Sequence, residues 1–172
     1  MINSHASKVN FMKSAIALSV AALILTACGK GGDKAAAVPA DGVEVKIGHV
    51  APLTGPIAHL GKDNENGARL ALEEINKAGL TIDGKKVVLT LVPEDDAEDP
   101  KTATQVAQKL VDAKVVGVVG HLNSGTSIPA SKIYSDAGIT QISPSSTNPD
   151  YTKQGFKTTY RCLLYTSDAA DD

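Results

Sequence analysis

The stretch Val115-Val116-Gly117-Val118-Val119-Gly120-His121-Leu122-Asn123-Ser124-Gly125-Thr126-Ser127 passes from four valines in five residues into a serine-rich turn. β-Branched residues fit extended chain, and a near-continuous apolar run marks a strand whose two faces are both covered. The hydroxyl-bearing residues after it suit a helix start, and the helix they open runs to about Ala137, where Gly138 ends it. A buried strand leading directly into a helix is the repeating unit of a parallel sheet with helices on its faces.

The same unit recurs on either side. Val43, Val45, Ile47 and Val50 form a β-branched run that closes in the turn Ala51-Pro52-Leu53-Thr54-Gly55-Pro56. Ala68, Ala71, Leu72 and Ile75 then recur at three- and four-residue spacing, the mark of a helix face, and Gly79 follows as a stop. Residues 87–92 read as a second strand. Asp99-Pro100 pairs an N-cap aspartate with proline at the first helical position, and Ala103, Val106, Ala107, Leu110 and Val111 supply that helix's buried stripe. Residues 139–142 read as a short fourth strand, 143–150 as a loop, and 158–161 as a fifth strand. The fold class is therefore α/β, a parallel sheet flanked by helices on both faces. In such sheets ligands bind beyond the carboxyl ends of the strands. Three loops occupy that edge: 52–62, 121–127 and 143–148.

The N-terminus has a different character. Lys13 precedes an apolar run over residues 15–25 that ends in Leu25-Thr26-Ala27-Cys28, the layout of an export signal. The run is shorter than the roughly 20 residues needed to cross a bilayer. It resembles a bacterial lipobox, which implies removal of residues 1–27 and acylation of Cys28. Gly, Ala, Lys and Asp dominate the next stretch, so 28–42 is expected to be a flexible tether, followed by a domain over 43–161. The roughly 140 residues after the leader suffice for one domain.

Composition excludes several function classes. A net charge of −2 offers no basic face for nucleic acid, and aromatics at 3% with no tryptophan leave no stacking platform for bases. The span from Gly55 to Lys62 imitates a phosphate loop, but its glycines are too far apart. Asp63 also stands where a magnesium-binding hydroxyl belongs, and Pro56 removes a backbone donor. Glu94, Asp95, Asp96, Glu98 and Asp99 do not match a calcium loop and read as a solvated cluster at a helix N-terminus. No cofactor or metal is expected. His121, at a strand end, reads as a packed, hydrogen-bonded residue. No Gly-x-Ser-x-Gly elbow surrounds Ser124, so an enzyme is not expected. What remains is recognition by hydroxyls and amides: Ser124, Ser145, Ser146 and Thr147 gather at the open edge, beside a helix N-terminus, an arrangement that suits a small carboxylate, although capping and turn formation alone also account for these residues.

Five stretches then agree in order and spacing: residues 47–56 (Ile-Gly-His-Val-Ala-Pro-Leu-Thr-Gly-Pro), 66–69 (Asn-Gly-Ala-Arg), 93–100, 120–131 and 142–149 (Ile-Ser-Pro-Ser-Ser-Thr-Asn-Pro). Together they resemble the N-terminal lobe of branched-chain amino-acid-binding proteins of the leucine/isoleucine/valine type, which feed ABC transporters. The resemblance covers residues 43–161. It implies the first lobe of a type I periplasmic-binding fold, in which two α/β lobes close over the ligand. It also implies an extracytoplasmic solute-binding protein, periplasmic or at the cell surface, monomeric, membrane-anchored through Cys28, and partnered with ABC permease subunits. By the same resemblance the Ser124 hydroxyl and the Thr147 N–H would bind the ligand's α-carboxylate. The Ser145 carbonyl and Thr147 hydroxyl would accept from its ammonium, and Ser146 would line the same loop. Leu60 stands where other members place a tyrosine against the ligand side chain, and Glu98 and Asn123 where some have a disulfide. Members are much longer than this chain, so the second lobe is expected to be missing. The tail at 162–172 fits no family pattern and looks like translated sequencing-adapter read-through. The alternative on the same fold is the ligand-sensing domain of a receptor or amide-responsive regulator.

Overall fold

The computed structural model describes residues 42–162; the leader, Cys28, and the tether and tail apart from Gly42 and Cys162 lie outside them. Within that span β1 (Val43–Ala51), α1 (Ala58–Ala78), β2 (Thr81–Ile82), β3 (Lys85–Asp95) and α2 (Pro100–Asp112) come first. After them come β4 (Gly117–Gly120), α3 (Ser124–Asp136), β5 (Thr140–Ser143), α4 (Asp150–Lys153) and β6 (Thr159–Arg161). They build one sheet in the order β2-β3-β1-β4-β5-β6.

Every pairing from β3 across to β6 is parallel. The expectation of a wholly parallel sheet is corrected at one edge, where β2 runs antiparallel to β3 and makes the sheet mixed. The cause is local: Asp83 and Gly84 both take positive φ, 50° and 74°, the backbone of a two-residue hairpin turn. Beyond that short strand the outer edge of β3 is closed by α1. Asn76 donates to the Leu89 carbonyl and accepts from the Leu89 N–H, both at 2.8 Å, which satisfies backbone groups that an edge strand leaves open.

The helices divide between the faces. α2 and α3 pack together on one side, where Val106, Ala107 and Leu110 meet Ala130 and Tyr134 over Val50 and Val118. α1 lies against β1 and β3 and buries Gly61, Ala68 and Leu72. α2 begins as its sequence dictates: the Asp99 carboxylate accepts from the Thr102 N–H at 2.7 Å with Pro100 at the first helical position. α1 starts at Ala58, ten residues before its apolar periodicity becomes legible, so the loop ahead of it is 52–57 rather than 52–62. Its N-cap is Ile57, with no side-chain cap bond, and two glycines lie within it.

One of those glycines is required by packing. A Cβ on Gly61 would press against the Pro52 carbonyl oxygen and lie 2.7 Å from the Pro52 carbonyl carbon, whereas a Cβ on the exposed Gly67 meets nothing within 4 Å. Opposite signs are therefore expected from the same substitution. Gly61→Ala should destabilise the chain by about 2 kcal/mol because backbone cannot yield as a side chain does. Gly67→Ala should stabilise it by about 1 kcal/mol through helix propensity. Urea denaturation of both variants checks this, and a destabilised Gly67→Ala would show that α1 is held differently.

Candidate functional site

Because β1, β3, β4, β5 and β6 run in one direction, their carboxyl ends release loops at a single edge. The loops that follow β1 and β3 are tied by Asp95, the last residue of β3. Its carboxylate accepts from the Leu53 N–H at 2.8 Å, the Thr54 hydroxyl at 2.6 Å and the Ala97 N–H at 2.8 Å. Partial burial alone would raise the Asp95 carboxyl, but these donors outweigh it and hold its pKa below the ordinary value.

Asp96 is fully buried, and its carboxylate takes His121 Nδ1 at 2.8 Å and the Glu98 N–H at 3.1 Å. On its far side His121 Nε2 lies 3.2 Å from the Tyr134 hydroxyl. A carboxylate oxygen accepts, so Nδ1 carries the proton and Nε2 accepts from tyrosine. These contacts correct the reading of the acidic run as a solvated cluster at three members: Asp95 staples two loops, Asp96 is internal, and Glu94 pairs with Lys109 at 2.7 Å, while Glu98 and Asp99 are exposed as expected. Only Asp99 keeps its expected role as a cap. His121 is packed and hydrogen-bonded, as its position at a strand end suggests.

Serine hydroxyls carry the connection onward. Ser127 and Ser143 both donate to the His121 carbonyl, at 3.0 and 2.7 Å. Ser146 is 1% exposed, its hydroxyl lies 2.6 Å from that of Ser127 and 2.7 Å from that of Ser143, and its N–H donates to Ser143 Oγ at 3.0 Å. Ser145 donates to the Leu122 carbonyl at 2.6 Å. At the outer rim the Asn148 N–H donates to Ser124 Oγ at 3.1 Å, and Arg161 holds the Thr147 carbonyl at 2.8 Å.

Ser124, Ser145, Ser146 and Thr147 are thus brought together. Thr147 is exposed, Ser124 and Ser145 half-buried, and Ser146 buried with its hydroxyl engaged inside the protein. Among the described residues none takes the Thr147 N–H or hydroxyl, none donates to the Ser145 carbonyl, and the Ser124 and Gly125 N–H groups at the start of α3 stay open. Leu60 sits elsewhere on the edge, on the first turn of α1, with 46% of its surface exposed. Asn123 Nδ2 donates to Glu98 at 3.2 Å, so a polar contact joins the two positions where the resemblance noted a missing disulfide. Sequence reading overlooks Asp95, Asp96, Ser127, Ser143 and Arg161. Serines and a histidine at strand ends are a usable signal for the inner network, whereas nothing local announces Arg161. Among the described residues no helix is long and apolar enough to cross a membrane, and no three His, Cys, Asp or Glu residues gather as a metal site.

A family model described as periplasmic binding protein matches residues 44–170. The chain belongs to the periplasmic binding protein family. Its relatives include Leu/Ile/Val-binding protein homolog 1 of Brucella abortus, 45% identical over 118 residues, which are 69% of this chain and 31% of the relative. The leucine-, isoleucine-, valine-, threonine-, and alanine-binding protein of Pseudomonas aeruginosa is 44% identical over 119 residues, again 69% and 31%. Among solved structures, the branched-chain amino acid transporter substrate binding protein LivJ of Streptococcus pneumoniae, in complex with isoleucine, superposes with a TM-score of 0.64 at 36% identity. The overlap covers 70% of this chain and 34% of LivJ. The chain therefore spans about a third of the length of the curated relatives it matches. The α/β architecture is that of the type I periplasmic-binding fold, and the branched-chain amino-acid-binding members are its relatives.

The site's buried histidine should make this family member sensitive to acid. Burial lowers the pKa of His121, against the opposing pull of Asp96, and burial likewise lowers that of His49. The unfolded chain takes up these protons near pH 6.5 while the folded chain stays neutral, so the unfolded state binds more protons and stability falls as pH drops through that value. Glu65 is held below its ordinary value because Lys62 and Arg69 outweigh the burial that would raise it, so its contribution is lost only nearer pH 4. Urea midpoints should fall between pH 7.5 and 5.5, by up to about 1.4 kcal/mol per pH unit for each histidine. A flat profile would mean that the folded state accepts an imidazolium.

Proposed function

We propose that this chain is the ligand-capturing first lobe of an extracytoplasmic solute-binding protein that delivers a branched-chain or other aliphatic amino acid to an ABC importer. The observation that carries this reading is the rim formed by Ser124, Ser145 and Thr147, whose backbone is pinned while its recognising groups stay free. Ser124 accepts from Asn148 and keeps its own O–H to donate, the Thr147 N–H is open, and the α3 N-terminus adds positive potential. That set fits a carboxylate. The unengaged Ser145 carbonyl and Thr147 hydroxyl fit the neighbouring ammonium, and Leu60 offers apolar surface to an aliphatic side chain. Because the groups are held before ligand arrives, little ordering entropy remains to oppose binding.

The relatives are named for leucine, isoleucine and valine, which supports the substrate class. In the length that this chain does not span we place a second lobe, which supplies the remaining contacts and closes by a hinge onto the permease-competent form. Export by residues 1–27 and a lipid on Cys28 would hold the monomer at the membrane surface; a diacylglyceryl mass on the Cys28 peptide checks that part.

Calorimetric titration with leucine tests the site. The complete gene product should bind, and Thr147→Ala should weaken binding by about 1–3 kcal/mol through loss of a charge-assisted contact. The lobe alone should bind weakly or not at all. Unchanged affinity in Thr147→Ala, or micromolar binding by residues 41–161 alone, would refute the assignment.

A further inference from the structure

The rim rests on a network that no rim residue explains. Two consecutive carbonyls, of His121 and Leu122, together receive three serine hydroxyls: Ser127 from α3, Ser143 at the end of β5, and Ser145 from the loop. Ser146 closes the inner ring by contacting both Ser127 and Ser143. The inner end of the 143–148 loop is therefore anchored on the backbone at residues 121 and 122, while Ser124 and Arg161 hold its outer end. That backbone could turn, since it follows Gly120 in a loop, but the His121 side chain forbids it. The imidazole is fully buried and gripped at both nitrogens, by Asp96 from the loop after β3 and by Tyr134 from the last turn of α3. Asp96 and Tyr134 are themselves fully buried.

We propose that His121 is the positioning residue of this site: its ring, clamped between Asp96 and Tyr134, fixes its carbonyl as the shared acceptor that sets where the 143–148 loop presents Ser145 and Thr147. This rests on the amino-acid-binding role and deepens it. None of the three clamp residues touches the rim or solvent, so they act through the serines and not on ligand. A buried network whose members are all satisfied is stiff, and losing one partner leaves another polar group unpaired. Tyr134→Phe keeps the ring in the core and removes only the hydroxyl that Nε2 accepts from. His121→Asn keeps an N–H donor near the place of Nδ1, whereas His121→Ala leaves Asp96 without its partner.

Amide hydrogen exchange by NMR on the complete gene product reads the network directly, because the Ser146 N–H is donated to Ser143 Oγ inside it. Relative to wild type, Ser146 exchange should accelerate about tenfold in His121→Ala and severalfold in Tyr134→Phe, the scale of one buried hydrogen bond. His121→Asn should return most of the protection, and the Leu110 amide in α2 should not change in any variant. Should His121→Ala fail to fold, Tyr134→Phe decides alone. Wild-type exchange at Ser146 in Tyr134→Phe, or equal acceleration at Leu110, would overturn the positioning role in favour of a merely structural one. Leucine titration of the same samples separates the two levels. Affinity should drop in step with Ser146 protection and recover in His121→Asn. Full affinity beside a loosened Ser146 overturns the positioning role alone, whereas a wild type that binds no amino acid overturns the proposed function itself.

Discussion

The parallel ladder from β3 through β1, β4 and β5 to β6 makes every one of these strands point the same way, and the geometry of the site follows from that. With helices covering the sheet, no polar ligand can approach its middle, where Val50, Val118 and Leu110 exclude water. Among the described residues, the open Thr147 N–H and Ser145 carbonyl emerge at the edge where the strands end. Loops from distant parts of the sequence must meet there, which is how Asp95 reaches Leu53 and Thr54, and how Asp96 reaches His121. The register sets the meeting points: Ala51 lies opposite Asp95, so the first residues of both following loops start side by side.

Bringing polar loops to one edge creates a desolvation cost that the sequence meets in two ways. Asp95 stands partly in water and satisfies its oxygens with three local donors. Asp96 is fully enclosed and would be costly unless paired. Its two oxygens divide between the Glu98 N–H and His121, which leaves neither open. The serines extend the same solution. Each is small enough to sit inside the packed layer, and each hydroxyl donates one hydrogen bond while its oxygen can accept others, so the serines link the loops without a net charge. A threonine or asparagine in place of Ser146 would need space that a residue 1% exposed does not have.

Features with a local physical cause are legible in the order of the amino acids alone. The Asp99-Pro100 start, the stripe of α2 and the valine-rich β4 announce themselves within a few residues. So does the gathering of Ser124, Ser145 and Thr147 at one edge, since strand direction alone places them there. The hairpin is equally local, but Asp83-Gly84 follows Thr81-Ile82, a pair of residues too short to read as a strand. The start of α1 carries no such signal: Ile57 is not a capping side chain, and Gly61 mimics a loop residue because its need is tertiary. The acidic run shows the same limit more sharply. Asp95, Asp96 and Asp99 are near neighbours of identical chemistry, yet one staples loops, one is buried under His121 and one caps a helix. Only their partners, 25 to 42 residues away for the first two, distinguish them.

Gly120 shows how closely the scaffold and the site are joined. Its φ is 134°, a conformation that side chains rarely adopt, and a Cβ there would press against the Val50 carbonyl oxygen and lie 2.9 Å from the Val50 nitrogen. Two separate constraints, backbone angle and contact with β1, therefore demand glycine at the last residue of β4. The next residue is His121. A bulkier residue at 120 would push β4 from β1 and carry the histidine away from Asp96, so the close approach of two core strands fixes the entry angle of the loop. Packing against β1 sets the angle at which the chain enters the loop and the clamp on His121 holds it there, so the rim is placed from beneath and not by its own groups.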